Sequence, residues 1–93
     1  MPPDVGDIAG FEWLDWVVDK ITRKHGVDPA EVEECFENQP YFVRRLNEGK
    51  YALLGRSTSG RYLFVVFAWR GWYVRVISAR DMTDSERTLF RRK

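Results

Sequence analysis

Arg56, Arg61, Arg70, Arg75 and Arg80 stand five to nine residues apart through the second half of the chain, a spacing that punctuates extended segments instead of forming one charged run. Arginine presents a planar fork of donors that meets two phosphate oxygens at once, where lysine offers only a point charge. Strands hold such groups at fixed positions, as a phosphate-binding site requires. The charge distribution agrees. Residues 1–43 carry 3 basic and 10 acidic side chains and residues 44–93 carry 12 and 4, so the formal net charge of +1 hides a basic half. RNA is the first partner these residues suggest. The competing reading is that the same arginines solubilise a sheet and protect its edges from pairing with other chains.

The 93 residues suffice for one small domain and leave no room for a second core. A hydrophobic content of 44% with 14 aromatic residues supports packing, and 31% charged residues with no apolar run near 20 residues argue against a membrane protein. The acidic, proline-bearing start lacks the basic and apolar regions of a signal peptide. Residues 1–10 therefore read as a short disordered arm of a cytoplasmic protein, and 11–93 as the single domain. Cys35 and His25, one of each type, are too few for a zinc site of ordinary spacing, so no metal is expected. Cys35 lies among apolar helix positions and reads as a buried, inert thiol.

Trp13, Trp16, Val17 and Ile21 recur at helical spacing, which predicts a helix over 11–24 ended by Gly26. Asp28 followed by Pro29 looks like an N-cap and first helical position, opening a second helix through Val32, Cys35 and Phe36. Four extended segments follow over 41–47, 51–57, 61–69 and 72–79, joined by short turns that suit antiparallel neighbours. Residues 63–67 are apolar at both parities, as in a central strand covered on both faces over part of its length. Thr83 with Glu86 forms a capping box that starts a final helix. The expected fold is α+β: two N-terminal helices, a four-stranded antiparallel meander sheet and a C-terminal helix, in the order ααββββα.

Phe11-Glu12-Trp13, Lys24-His25-Gly26-Val27, Gly55-Arg56, and Val74-Arg75-Val76-Ile77-Ser78-Ala79-Arg80 with Glu86 resemble the BrnT toxins of bacterial type II toxin–antitoxin pairs. The resemblance covers residues 11–90, and Glu31 and Phe36 fall where that family places a glutamate and an aromatic. It implies a RelE-like ribonuclease toxin that cuts RNA without a cofactor, inhibits translation and is neutralised by a BrnA-type antitoxin. The chain departs from the family pattern at Val17 and Ile21, where a lysine and an asparagine are usual, and at Phe90, where a tyrosine is usual. Those departures support an alternative: a catalytically weak relative that acts as an antitoxin-binding module.

For the chemistry this resemblance implies, attack of the RNA 2′-hydroxyl on the adjacent phosphate, the chain must supply a base, an acid and cations for the developing charge. His25 and Glu48 are the candidate bases, His25 because its ordinary pKa of about 6.5 is near working pH. Arg75 and Arg80 are the first candidates for the phosphate. Lys24, Lys50, Arg56 and Trp72 are expected to bind RNA. Each has a structural rival: Lys24-His25-Gly26 also reads as a helix C-terminus, and Arg80 as a partner of Asp84 or Glu86. Glu48 also reads as a solubilising turn residue, and Trp69 and Trp72 as a seat for an antitoxin helix. Arg75 and Arg80 differ in strand parity, so they share a face only if the strand ends or bulges between them. A homodimer is left open.

Overall fold

The computed structural model describes residues 4–92. It contains β1 (Gly10–Glu12), α1 (Asp15–His25), α2 (Pro29–Glu37), β2 (Phe42–Arg45), β3 (Lys50–Arg56), β4 (Tyr62–Arg70), β5 (Tyr73–Asp81) and α3 (Asp84–Arg91), preceded by a 3-10 turn at Val5–Asp7. The α+β class and the helix, sheet, helix order match expectation. The sheet does not: it has five strands, ordered β1-β5-β4-β3-β2, and β1 runs parallel to β5 beside the antiparallel meander. A three-residue strand has no detectable period of its own, and Phe11 and Trp13 were drawn into the helical pattern that follows.

Part of the expected arm is built into the fold. Val5 is only 5% exposed within the core, and the Ala9 amide donates to the Trp72 carbonyl at 2.7 Å. Residues 1–3 of that arm lie outside the described residues. Helix α1 starts at Asp15, four residues later than predicted, because Phe11 belongs to β1 and packs edge-on against Phe36 at 5.2 Å.

Local chemistry fixes the helix ends. Gly26 adopts φ 60° and its amide closes on Thr22, ending α1 in the left-handed conformation that glycine adopts without steric cost. Asp28 accepts from the Ala30 amide at 2.8 Å while Glu31 reaches back to the Asp28 amide at 3.1 Å, with Pro29 in the first position. Thr83 and Glu86 make the same reciprocal pair at α3.

Helices α1 and α2 cover one side of the sheet. Their Val17, Ile21, Val32, Cys35 and Phe36 interlock with Leu53, Leu63, Val65, Phe67, Val74 and Val76. Val17 and Ile21, where the resemblance leads one to expect a lysine and an asparagine, are fully buried. Trp16, expected on the same stripe, is 60% exposed and lies beneath Lys20 instead. Cys35 packs so close to β3 that a Cβ on Gly55 would meet its carbonyl oxygen at 3.0 Å. Burial pushes the Cys35 thiol up to about 12, aided by Glu34 and Glu31. On the other side α3 covers one end only, with Leu54, Met82 and Phe90 packed against Phe42, Tyr62 and Phe64. The central strand β4 is thus covered on both faces over part of its length.

Candidate nucleic-acid interface

Cross-strand register arranges the side chains of the α3-bearing face in rows. Lys50, Ala68 and Arg75 lie abreast on β3, β4 and β5, and Glu12 of β1 extends the row. The next row is Arg44, Ala52, Val66 and Ser78; then come Phe42, Leu54, Phe64 and Arg80; and last Arg56 and Tyr62. Helix α3 sits over the last two rows and leaves the first two open. The small Ala52 is fully buried there, and Val66 and Ala68 are half-buried, so this stretch of the face carries short side chains. Lys50 and Arg75 stand about 10 Å apart across it, two strand spacings.

A bulge brings Arg75 and Arg80 to this face. Val66 pairs with Ser78 but Phe67 pairs with Val76, so Ile77 is an extra residue on β5. The inserted residue reverses the side-chain parity between Arg75 and Arg80. The Lys20 ammonium of α1 donates to the displaced Ile77 carbonyl at 2.8 Å. Four residue steps along β4 still separate the two arginines' partners, Ala68 and Phe64, about 13 Å of strand. They are successive stations along a face, not two hands on one phosphate.

Both arginines are already engaged. Arg75 Nε donates to Glu12 Oε1. Arg80 makes a bidentate pair with Glu86 at 2.7 and 2.9 Å and lies over the Phe64 ring at 4.2 Å. Hydrogen bonding from Arg80, with the Thr83 amide, holds the Glu86 carboxyl below its ordinary value. Glu86 is therefore both a capping residue and a counter-ion. Arg44, Lys50 and Arg70 are exposed and form no ion pair among the described residues.

The other expected site residues are placed apart. His25 is the last residue of α1, half-buried, and its backbone carbonyl accepts from Arg61 at 2.8 Å. Arg61 also donates to the Gly26 carbonyl (2.7 Å), to Asp81 (2.7 and 3.1 Å) and to Glu31 (3.2 Å), so its guanidinium clamps the end of α1 to the end of β5. Hydrogen bonding from Arg61 lowers the Asp81 carboxyl, with a smaller contribution from the His25 charge. Lys24 is exposed on the same turn of α1. Glu48 is exposed in the β2–β3 turn with φ 60°, beside Lys50 at the opposite end of the sheet. Tyr62 and Ala68 mark those two ends on β4, about 20 Å apart, so His25 and Glu48 cannot serve the same phosphate. Trp72 is 59% exposed in the β4–β5 turn, while Trp69 packs edge-on against Phe67 at 5.6 Å.

Sequence reading missed three features of this face. Glu12 carries no local signal, because its partner Arg75 is 63 residues away. Arg44 was assigned to a strand but not to a site. Arg87 and Arg91 are one helical turn apart, a spacing that puts both on one face of α3, and they reach Tyr62 together with Arg56.

No helix among the described residues is long and apolar enough to cross a membrane. The crystal structure of the Brucella abortus ribonuclease toxin BrnT superposes with a TM-score of 0.68 at 20% identity, over 81% of this chain and 97% of that one. That likeness shows the fold. No curated protein matches the chain. Residues 16–86 match the family described as ribonuclease toxin, BrnT, of type II toxin-antitoxin system. On that match, which takes in most of the sequence, this chain belongs to the BrnT family of type II toxin–antitoxin ribonuclease toxins.

Proposed function

We propose that this chain cleaves RNA without a metal ion, at the open end of the cationic sheet face, and thereby inhibits translation in the cytoplasm. The reading rests on one observation: the Ile77 bulge puts Arg75 and Arg80 on the same face as Lys50 and Arg56. The scissile phosphate sits over Ala68, between Lys50 and Arg75. Arg75 shifts from Glu12 to a phosphate oxygen, and the released Glu12 carboxylate takes the proton of the 2′-hydroxyl as that oxygen attacks phosphorus. The 5′ oxygen leaves with a proton from solvent at the exposed Lys50 side. The two cations stabilise charge that grows on the phosphate as the transition state forms. Of the bases expected from sequence, Glu48 stands at this end and assists Lys50, whereas His25 stands with Lys24 at the other end as a helix terminus. Trp72 offers an exposed ring for an unpaired base.

A BrnA-type antitoxin would neutralise such a site by laying an acidic or aromatic segment over the same face. A second reading, a binding module with weak catalysis, is favoured by the internal pairing of both Arg75 and Arg80 with carboxylates. Incubation of a long unstructured RNA with the parent, with Glu12→Gln and with Lys50→Ala decides between them. Cleavage by the parent that falls at least a hundredfold in Glu12→Gln, with RNA affinity retained, supports the nuclease. A folded parent that binds RNA or antitoxin but leaves RNA intact supports the module.

A further inference from the structure

Tyr62 lies at the end of the rows where α3 meets the sheet. Three guanidinium groups surround its ring: Arg87 at 4.5 Å, Arg56 at 5.2 Å and Arg91 at 5.6 Å from the ring centre. They come from two elements, β3 and α3, and none forms an ion pair among the described residues. The contrast with Arg61, Arg75 and Arg80 is sharp, because each of those faces a carboxylate. Three like charges around one ring repel one another, and an anion seated between them removes that repulsion.

Two clefts flank the cluster. One, of about 510 Å³, is lined by Asn38, Gln39, Arg56, Ser57, Thr58 and Phe90. The other, of about 260 Å³, is lined by Gly60, Arg61, Tyr62, Asp81, Met82 and Arg87. The arginines therefore form a cationic ridge between two hollows. This is the relief a nucleic-acid strand needs, with a phosphate on the ridge and a sugar or base in the mixed polar and apolar cleft beside Arg56.

We propose that Arg56, Arg87 and Arg91, framed by Tyr62, form a backbone-phosphate subsite that extends the RNA footprint beyond the cleavage row. The inference rests on the RNA reading above and adds to it a second contact region. The Arg56–Tyr62 row lies six β4 residues from the Ala68 row, about 20 Å, so the bound strand is several nucleotides long and crosses the edge of α3. Arg80, in the intervening row, lies between the two regions. The positive field is also visible on the tyrosine itself: hydrogen bonding from Arg91, then the charges of Arg56 and Arg87, hold its phenol below the ordinary value. Continuity with the cationic face selects a nucleic-acid strand over an acidic protein segment as the occupant.

Fluorescence anisotropy with a labelled oligouridine of about twelve nucleotides, within the usual range of single-strand sites, tests the subsite across a salt series. Each phosphate contact on a single strand contributes about 0.7 to the slope of log affinity against log salt. The variant Arg56→Gln/Arg87→Gln/Arg91→Gln should lower that slope by about 2. Between about 50 and 200 mM salt the parent then loses about 15- to 20-fold more affinity than the variant. Because removing these arginines can loosen α3, the Arg Nε–Hε resonances of the unmodified protein are followed during the same titration. Shifts at Arg56, Arg87 and Arg91 are expected, and inorganic phosphate in place of RNA should move them only weakly.

An unchanged slope in the variant, or unmoved resonances while the parent binds RNA, overturns the subsite and leaves the cleavage-row reading intact. Unchanged RNA binding together with lost binding of polyglutamate assigns the ridge to an acidic protein segment and also overturns it. Failure of the folded parent to bind RNA overturns both readings together.

Discussion

Replacing Arg61 by alanine should destabilise the fold far more than removal of an ordinary surface arginine. The side chain is 26% exposed and donates five hydrogen bonds: two to Asp81, one to Glu31, and one each to the carbonyls of His25 and Gly26. A hydrogen bond to a charged group contributes about 1.5–3 kcal/mol, but the Asp81 side chain is 60% exposed, so its pair belongs with surface pairs of about 0–1 kcal/mol. The two carbonyl bonds end α1, and water replaces them in part, leaving about 1 kcal/mol each. The pair with Glu31 adds about 0–1 kcal/mol more, so the sum is about 2–4 kcal/mol. For a domain of this size it corresponds to a fall in Tm of about 10–30 °C.

Urea unfolding at neutral pH measures the loss, with an unchanged m-value showing that the variant unfolds from a comparably compact state. Arg23→Ala, which breaks only an exposed pair with Asp19 one turn away, is the control and should cost less than about 0.5 kcal/mol. The acid arm of the experiment separates the contributions. Arg61 lowers the Asp81 pKa, so the pair's stabilisation is present above the unfolded value of about 3.9 and is lost as pH falls through the folded one. The carbonyl bonds do not titrate. The gap between parent and Arg61→Ala should therefore narrow below about pH 4 without closing. A loss under about 0.5 kcal/mol at neutral pH would refute the claim that this guanidinium fastens the Lys24-His25-Gly26 turn.

Gly55→Ala should cost about 1–3 kcal/mol by urea midpoint, because the added Cβ meets the Cys35 carbonyl at 3.0 Å and the Cys35 Cβ at 3.1 Å. Gly26→Ala should cost about 1–2 kcal/mol from backbone strain alone, since φ is 60° and nothing lies within 4 Å of the new atom. With its thiol pushed up to about 12, Cys35 should react with a thiol reagent in native protein orders of magnitude more slowly than in urea; equal rates would show that the site opens readily. Asp81 and Glu86 both have lowered folded values, so the parent itself should lose stability as pH falls below about 4, measured by thermal melting across an acid series.

Legibility in the sequence followed the range of the interaction. Asp28-Pro29 with Glu31, and Thr83 with Glu86, marked α2 and α3 because a cap is a contact between residues two or three apart. The meander strands were equally plain from β-branched and aromatic runs between glycine turns. What was hidden depends on pairing. Strand β1 has three residues and acquires its meaning from β5. The Ile77 bulge leaves no residue signature, yet it decides whether Arg75 and Arg80 share a face. Trp16 was misplaced because helical spacing gives the centre of an apolar stripe better than its margins. His25 and Glu48 looked interchangeable as bases until register put them at opposite ends of the sheet.

The pairing of β1 with β5 also imposes an order of events in time. Glu12 precedes Arg75 in the order of synthesis, and Arg75 joins it only after 62 intervening residues have followed. Contacts of such long sequence separation form slowly, because loop closure must precede the gain. A nascent or truncated chain can fold α1 and α2 and begin the meander while the row that unites Glu12, Arg75 and Lys50 is still missing. For a ribonuclease made among its own RNA templates, the proposed cleavage row would therefore assemble only after β5 has been made, which delays activity during synthesis.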